Sequence, residues 1–256
     1  ELAAGDRDEA VLADDDLVHF LAPVSDLCRA KAEGHEKHVT LCSMCYNTLA
    51  RANRMMREDE VKRDALNSFM EEEEDYAGEV EVVHLLTFLR DDLGWEKLGA
   101  AVKKPLAGLK VAPYYGCTLT RPRDVGIDGP SPRIFEEFLG ALGAEPVTFA
   151  EAETCCGSYN ILSHPEAALN KVADIVRDAG ARRAEALAMS CPLCEYNVGR
   201  RQPDALAEGG QDAALPVFYF TQLLAIAMGL GETACRLDLN ASAAVDFLKQ
   251  RNLLAA

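Results

Sequence analysis

The stretch Leu109-Lys110-Val111-Ala112-Pro113-Tyr114-Tyr115-Gly116-Cys117 decides how the rest of the chain is read. Apolar and aromatic side chains fill 109–115 with strand character, and a Gly-Cys pair ends the run. Downstream, Pro130, Ser131 and Pro132 open a helix with Ile134, Phe135, Phe138, Leu139 and Leu142 at helical spacing, closed by Gly143. A short strand at 146–149 leads to Cys155-Cys156-Gly157. Ser163 reads as an N-cap with Pro165 just inside the next helix. Leu169, Val172, Ile175 and Val176 form its buried stripe, and Gly180 stops it. A strand at 186–189 runs into Ser190-Cys191-Pro192-Leu193-Cys194, and another at 217–220 precedes a helix over 222–228 capped by Thr221. Alternation of this kind argues for an α/β fold with a largely parallel sheet.

The pattern repeats upstream. Leu21, Val24, Leu27, Gly34, Val39 and Cys42-Ser43-Met44-Cys45 follow the order of Leu169, Val172, Ile175, Gly180, Leu187 and Cys191-Pro192-Leu193-Cys194. Each copy reads as helix, glycine stop, strand and Cys-x-x-Cys, and Tyr46-Asn47 and Tyr196-Asn197 follow the two motifs. Strands are expected at 38–41 and 80–83, with a helix at 84–93. The upstream copy has no Cys-Cys-Gly: its counterparts fall near Asp6 and Arg7 or before residue 1. The chain is therefore divided into a truncated or degenerate N-terminal domain, 1–105, and a complete C-terminal one, 106–256.

Composition narrows the function. The 256 residues are 49% apolar, enough for one large or two small cored domains. Forty-two acidic against 26 basic side chains give a net charge of −16, which excludes a phosphate-binding footprint and hence nucleic acid. The acidic run 71–75 reads as a solvated segment. No apolar stretch reaches the roughly 18 residues of a membrane span, since 218–230 is too short and contains Thr221 and Gln222. No secretory leader pattern is read, and a start other than Met reads as a processed product or a fragment. Nine cysteines grouped in motifs point to metal binding or catalysis rather than a disulfide framework, and to a reducing, cytoplasmic location.

Cys117, Cys155, Cys156, Cys191 and Cys194 each follow an expected strand. In an open parallel sheet the carboxyl ends of strands share one edge, so distant residues converge there. Five thiolates exceed the four ligands of structural zinc, and a sulfur-only donor set suits an iron–sulfur cluster. Adjacent Cys155 and Cys156 strain to chelate one ion but can bind different irons, and Gly157 allows close backbone approach. Zinc, redox thiols or plain core cysteines are the competing readings. Cys42 and Cys45 match a ligand pair without its partners and are candidates for a second cluster or zinc. Cys28 reads as core, Cys235 as structural or exposed, and His35, His38, His84 and His164 as ordinary surface or core residues. Tyr114, Tyr115, Tyr159 and Tyr196 flank the ligating positions, and Arg121 and Arg123 are candidates to hold an anionic group, with core and surface roles as the alternatives.

Pro113-Tyr114-Tyr115-Gly116-Cys117 through Arg121-Pro122, then Cys155-Cys156-Gly157, then Cys191-Pro192-Leu193-Cys194, resemble the Cys-Cys-Gly domain of the heterodisulfide reductase B-subunit family. Pro216-Val217-Phe218-Tyr219-Phe220-Thr221-Gln222-Leu223-Leu224 resembles that family's C-terminal segment, and the likeness covers roughly 21–231. The resemblance implies two pseudo-symmetric Cys-Cys-Gly domains, parallel sheets flanked by helices, and a noncubane [4Fe-4S] cluster on Cys117, Cys155, Cys156, Cys191 and Cys194. It implies an oxidoreductase that reduces or forms a disulfide, as the catalytic member of a multi-subunit complex. The partners implied are a ferredoxin-like protein (the C component of the family's complexes) and a flavin-bearing protein (the A component). The substrate would be a small disulfide or dithiol, with Tyr115, Tyr159 and Arg121 as pocket candidates. Cys42 and Cys45 match only the last ligand pair of the first domain, which puts a second cluster in doubt. An electron-transfer subunit of a flavin dehydrogenase complex and a zinc-stabilised assembly module are the alternatives.

Overall fold

Val24, Leu27 and Cys28, spaced three and one residues apart, form the buried face of the first helix, α1 (Val18–Ala32), in a computed structural model that describes residues 17–207, 214–240 and 242–254. Asp6 and Arg7 lie outside the described residues. The chain divides into two compact units, Glu1–Phe88 with Thr118–Pro130, and Leu89–Cys117 with Ser131–Ala256.

In the first unit, β1 (Lys37–Thr40) and β2 (Glu81–His84) pair in parallel, with Thr40 opposite His84. Between them lie α2 (Ser43–Glu58) and α3 (Glu60–Phe69), the latter capped by Asp59, whose carboxylate accepts from the Lys62 N–H at 3.0 Å. A short α4 (Leu85–Phe88) follows β2. Leu49, Ala52 and Met56 of α2 meet the buried face of α1, together with Leu66, Tyr76 and Val80. Cys28 sits in this core, and burial pushes its thiol up to about 11, with Glu73 adding to the shift. The polar groups in this core are bonded to one another. The Tyr76 hydroxyl donates to Asn53 Oδ1 at 2.7 Å and accepts from the Val80 N–H, while Asn53 Nδ2 donates to the Val80 carbonyl at 2.8 Å. His84 is fully buried, its Nδ1 accepting from the Leu86 N–H, and burial lowers its pKa to about 3.

The second unit opens on a π-helical turn, Leu89–Leu93, and α5 (Trp95–Ala101). Then come β3 (Lys110–Tyr114), α6 (Ile134–Ala141), β4 (Glu145–Pro146), α7 (Pro165–Ala181), β5 (Ala186–Met189) and a helical turn, α8 (Pro192–Cys194). A second π-helical turn at Glu195–Arg200, α9 (Gln202–Leu206), β6 (Val217–Tyr219), α10 (Phe220–Ala227) and α11 (Ser242–Gln250) complete it. The strands form one parallel sheet in the order β4-β3-β5-β6. β5 is buried at every residue, the pattern of a strand covered on both faces. Phe135 and Phe138 of α6 pack edge-on against Phe220, with centroids 6.1 and 5.8 Å away.

The expected α/β architecture of parallel sheets flanked by helices is present, with several local corrections. The strand expected at 146–149 spans only Glu145–Pro146. The Val147 N–H still donates to the Val111 carbonyl, but the next rung would need an N–H from Pro113, which has none. The N-cap of α7 is His164 rather than Ser163, whose hydroxyl pairs with His164 Nδ1 at 3.0 Å instead. Gly180 does not stop α7. The left-handed residue is Arg183 (φ 64°), and its N–H bonds the Gly180 carbonyl while the Ala184 N–H bonds that of Ala179, a Schellman exit. The C-terminal apolar helix starts at Phe220 instead of Gln222 and is capped at Tyr219, whose N–H donates to Gln222 Oε1, rather than at Thr221. The helix expected at 84–93 is the short α4 followed by the π turn. No helix among the described residues is long and apolar enough to cross a membrane.

Tyr76→Phe is expected to leave Asn53 Oδ1 and the Val80 N–H without their partner and to lower the unfolding free energy by about 1–3 kcal/mol in urea denaturation. His84 titrates lower in the folded than in the unfolded chain. Above about pH 6.5 both are neutral and the residue adds no pH dependence; below it the unfolded chain alone takes the proton, so stability falls towards pH 3. His84→Asn keeps an acceptor near the Leu86 N–H and removes the titration, so its stability deficit against the wild type should shrink as pH falls through this window.

Candidate functional site

Each of the expected thiols of the second unit follows the carboxyl end of a parallel strand. Cys117 comes three residues after β3, and Cys191 two residues after β5. Cys155 and Cys156 follow β4 and a 3₁₀ turn at Ala150–Glu153, which is tethered by the Ala152 carbonyl accepting from the N–H groups of Tyr115 and Gly116. Cys156 Sγ lies 3.3 Å from Cys194 Sγ and 3.3 Å from Ser158 Oγ. Cys155 Sγ accepts from the Gly157 N–H at 3.4 Å. Cys156, Cys191 and Cys194 are buried, and Cys117 and Cys155 half-buried.

The backbone is cut to fit. Gly116 (φ 66°) carries its missing Cβ towards Cys194 Sγ, which such an atom would meet at 3.5 Å. Gly157 (φ 79°) presses on α7, and a Cβ there would stand 2.9 Å from Ala168 Cα. Asn197, fully buried, donates from Nδ2 to the Cys156 carbonyl at 2.5 Å and so holds the Cys-Cys loop. Sequence reading noted the Tyr-Asn pair after each motif but gave Asn197 no role; its recurrence was the available signal.

The thiols perturb one another. Hydrogen bonding from Cys194 and the backbone N–H groups of Cys194 and Leu193 pull Cys191 down to about 7 against its burial. Cys194 is driven well up by its hydrogen bonds with Cys156 and Cys191 and by burial. Cys156 is raised chiefly through Cys155. Tyr114 and Tyr159 are both raised, first by burial and then by these thiols, Tyr159 to about 12. Tyr114 donates its hydroxyl to the Thr154 carbonyl behind the loop, whereas Tyr159 is partly exposed. Tyr115 is tied into the core, its hydroxyl bonded to Glu136 and its ring edge-on to Phe135. No group of three or more His, Cys, Asp or Glu side chains among the described residues has the arrangement of a site for one metal ion. Cys155, Cys156, Cys191 and Cys194 interact with one another all the same, and Cys117 joins Cys155 and Cys194 in raising Tyr114 and Tyr159.

In the first unit, Cys42 N-caps α2, its sulfur accepting from the Cys45 N–H at 3.5 Å. Asn47, buried two residues on, donates to the carbonyls of Thr118 at 2.9 Å and Arg121 at 2.6 Å. Arg121 and Arg123 thus belong to a segment of the first unit. His84 is a core residue beside Tyr46, at a centroid distance of 6.0 Å, and Cys235 is buried rather than exposed.

Gly157→Ala is expected to cost about 1–3 kcal/mol in denaturant unfolding, because it adds a side chain at a left-handed residue against Ala168.

Comparison with known proteins gives this site a family. Residues 111–199 match the cysteine-rich domain family CCG. The chain is 32% identical over 219 residues to the B subunit of the Ferredoxin/F(420)H(2)-dependent CoB-CoM heterodisulfide reductase of Methanosarcina acetivorans, covering 82% of this chain and 71% of that one. It is 34% identical over 195 residues to the 8-methylmenaquinol:fumarate reductase membrane anchor subunit of Wolinella succinogenes, covering 75% and 67%. A crystal structure of a hypothetical protein from Helicobacter pylori shares the fold, with a TM-score of 0.68 at 17% identity, covering 87% of this chain but 41% of that one. The cysteine motifs, the parallel sheet that gathers them and this similarity agree: the chain belongs to the heterodisulfide reductase B-subunit family of cysteine-rich CCG domain proteins.

Proposed function

We propose that this chain is the iron–sulfur subunit of an oxidoreductase complex that reduces or forms a disulfide. In this reading Cys117, Cys155, Cys156, Cys191 and Cys194 hold a noncubane [4Fe-4S] cluster. The observation that carries it is the meeting of Cys156 and Cys194 at 3.3 Å, within a set of five cysteines drawn from three strand ends. The donor set fits the group: it is all sulfur, it exceeds four ligands, and adjacent Cys155 and Cys156 suit separate irons better than one ion. When bound, such a cluster supplies single electrons and a soft Lewis-acidic centre for sulfur.

The chain's own residues prepare the site. The lowered Cys191 gives up its proton to a metal more readily than Cys194 and Cys156, whose thiols are raised. Asn197 and Gly157 fix the Cys-Cys loop, and the partly exposed Tyr159, which feels the charge of the thiols, would be the residue to donate a hydrogen bond to an incoming sulfur group.

The first unit is read as a partial Cys-Cys-Gly domain related to the second by pseudo-symmetry, with the sequence boundary at 105/106. Cys42 and Cys45 would then belong to a second cluster or a zinc site. The partners would be the ferredoxin-like C component and the flavin-bearing A component, in the cytoplasm. One comparison favours a second reading. Likeness to a fumarate reductase anchor subunit supports an electron-transfer subunit of a flavin dehydrogenase complex that lacks a disulfide site.

Iron, acid-labile sulfide and zinc analysis of anaerobically purified protein tests the cluster. About four irons with matching sulfide are expected, falling sharply in Cys156→Ala; zinc without sulfide would refute the reading. Reduction of small disulfides with a viologen donor separates the two functions, and electron transfer without any disulfide reduction selects the second.

A further inference from the structure

Away from the thiols, the first unit carries a groove of about 550 Å³ between α1 and the end of α3, lined by Leu21, Ala22, Ser25, Phe69, Met70 and Glu73. Its walls are apolar, and Phe69 is 73% exposed at its edge, an aromatic side chain left in water. Its lip is the acidic run Glu71, Glu72, Glu73, Glu74 and Asp75. Local compensation is thin. Arg29 approaches Glu73 only to 3.8 Å, and Lys31 is turned to Glu79 and the Asp75 carbonyl. Glu73 accepts from the Ser25 hydroxyl through Oε1 and acts on the Cys28 thiol in the core, so the carboxylates left to the lip are those of its neighbours.

We propose that this groove receives a basic amphipathic helix of a partner protein. Its apolar face would lie on Leu21, Met70 and Phe69, with lysine or arginine side chains against the exposed carboxylates of Glu71 and Glu72 on the lip. Charge selects this occupant. The chain's own residues 1–16 hold seven acidic side chains and one arginine, and would meet the lip with like charge. A second copy of this chain, at a net charge of −16, brings the same sign. The inference is independent of what the cysteines bind.

Fluorescence anisotropy with the intact chain tests it. The probe is a labelled synthetic Leu–Lys amphipathic helix, and the control has Glu for every Lys. Saturable binding of the Leu–Lys peptide is expected, weakened about tenfold or more by Phe69→Ser and by the double variant Glu71→Lys/Glu72→Lys, and weakened by salt. The Leu–Glu control should not bind. The lip variant keeps the test decisive if Phe69→Ser fails to fold. Absence of saturable binding, or equal affinity in the wild type and the folded variants, overturns the proposal. So does binding that appears only once residues 1–16 are removed, which would assign the groove to the chain itself.

Discussion

Val111 pairs with Ala186, Tyr114 with Met189, and Met189 in turn with Tyr219, all in parallel register. That register is the constraint on which the second unit depends. Parallel neighbours cannot be joined by a tight turn, so each connection must cross back through a helix, and every strand then ends at the same edge. The 30-odd residues between successive cysteine motifs are the length of such a crossover. Pro113 sharpens the edge. By withholding one N–H it ends the β4 ladder early, and the freed chain turns through the 3₁₀ segment that brings Cys155 and Cys156 in towards β3.

Gathering sulfur in this way is costly for the bare protein. Hydrogen bonds with neighbouring thiols, and then burial, raise Cys194 and Cys156, and each thiol that ionises opposes the next. Cys191 escapes because the Cys194 thiol, and then backbone N–H groups of the following helical turn, hydrogen-bond to it. Rigidity comes from groups that carry no thiol: the Gly157 backbone against Ala168, the Asn197 amide on the Cys156 carbonyl, and Tyr114 behind the loop at Thr154. A multinuclear cation would offset the mutual repulsion of these thiolates, which is the physical link between the geometry and the proposed cluster.

The sequence made the strand–helix alternation legible because long apolar runs such as 109–115 and the stripe on α7 are strong periodic signals. It also set the five cysteines after the carboxyl ends of strands, which is where they follow β3, β4 and β5. What it missed were choices between near-equal local bonds. Ser163 had two uses for its hydroxyl and took the imidazole, and a Schellman exit formed on Arg183 although a glycine stood three residues earlier. Asn197 looked like any polar residue after a motif, since burial and its bond to Cys156 depend on a loop forty residues away in the chain. Tyr115 and Tyr159 read alike as pocket candidates, yet one hydroxyl is committed to Glu136 and the other ring is left half in solvent.

The second π-helical turn has a consequence for engineering. After Cys45 the chain reads Tyr46-Asn47, whereas after Cys194 it reads Glu195-Tyr196-Asn197, and the backbone absorbs the additional residue as a π turn at Glu195–Arg200 while α2 stays regular. The two motifs are therefore not interchangeable cassettes. A recombination that pasted the first in place of the second would shorten the segment by one residue, rotate the asparagine by about 100° around the helix axis, and leave the Cys156 carbonyl without its amide even though every cysteine had been kept.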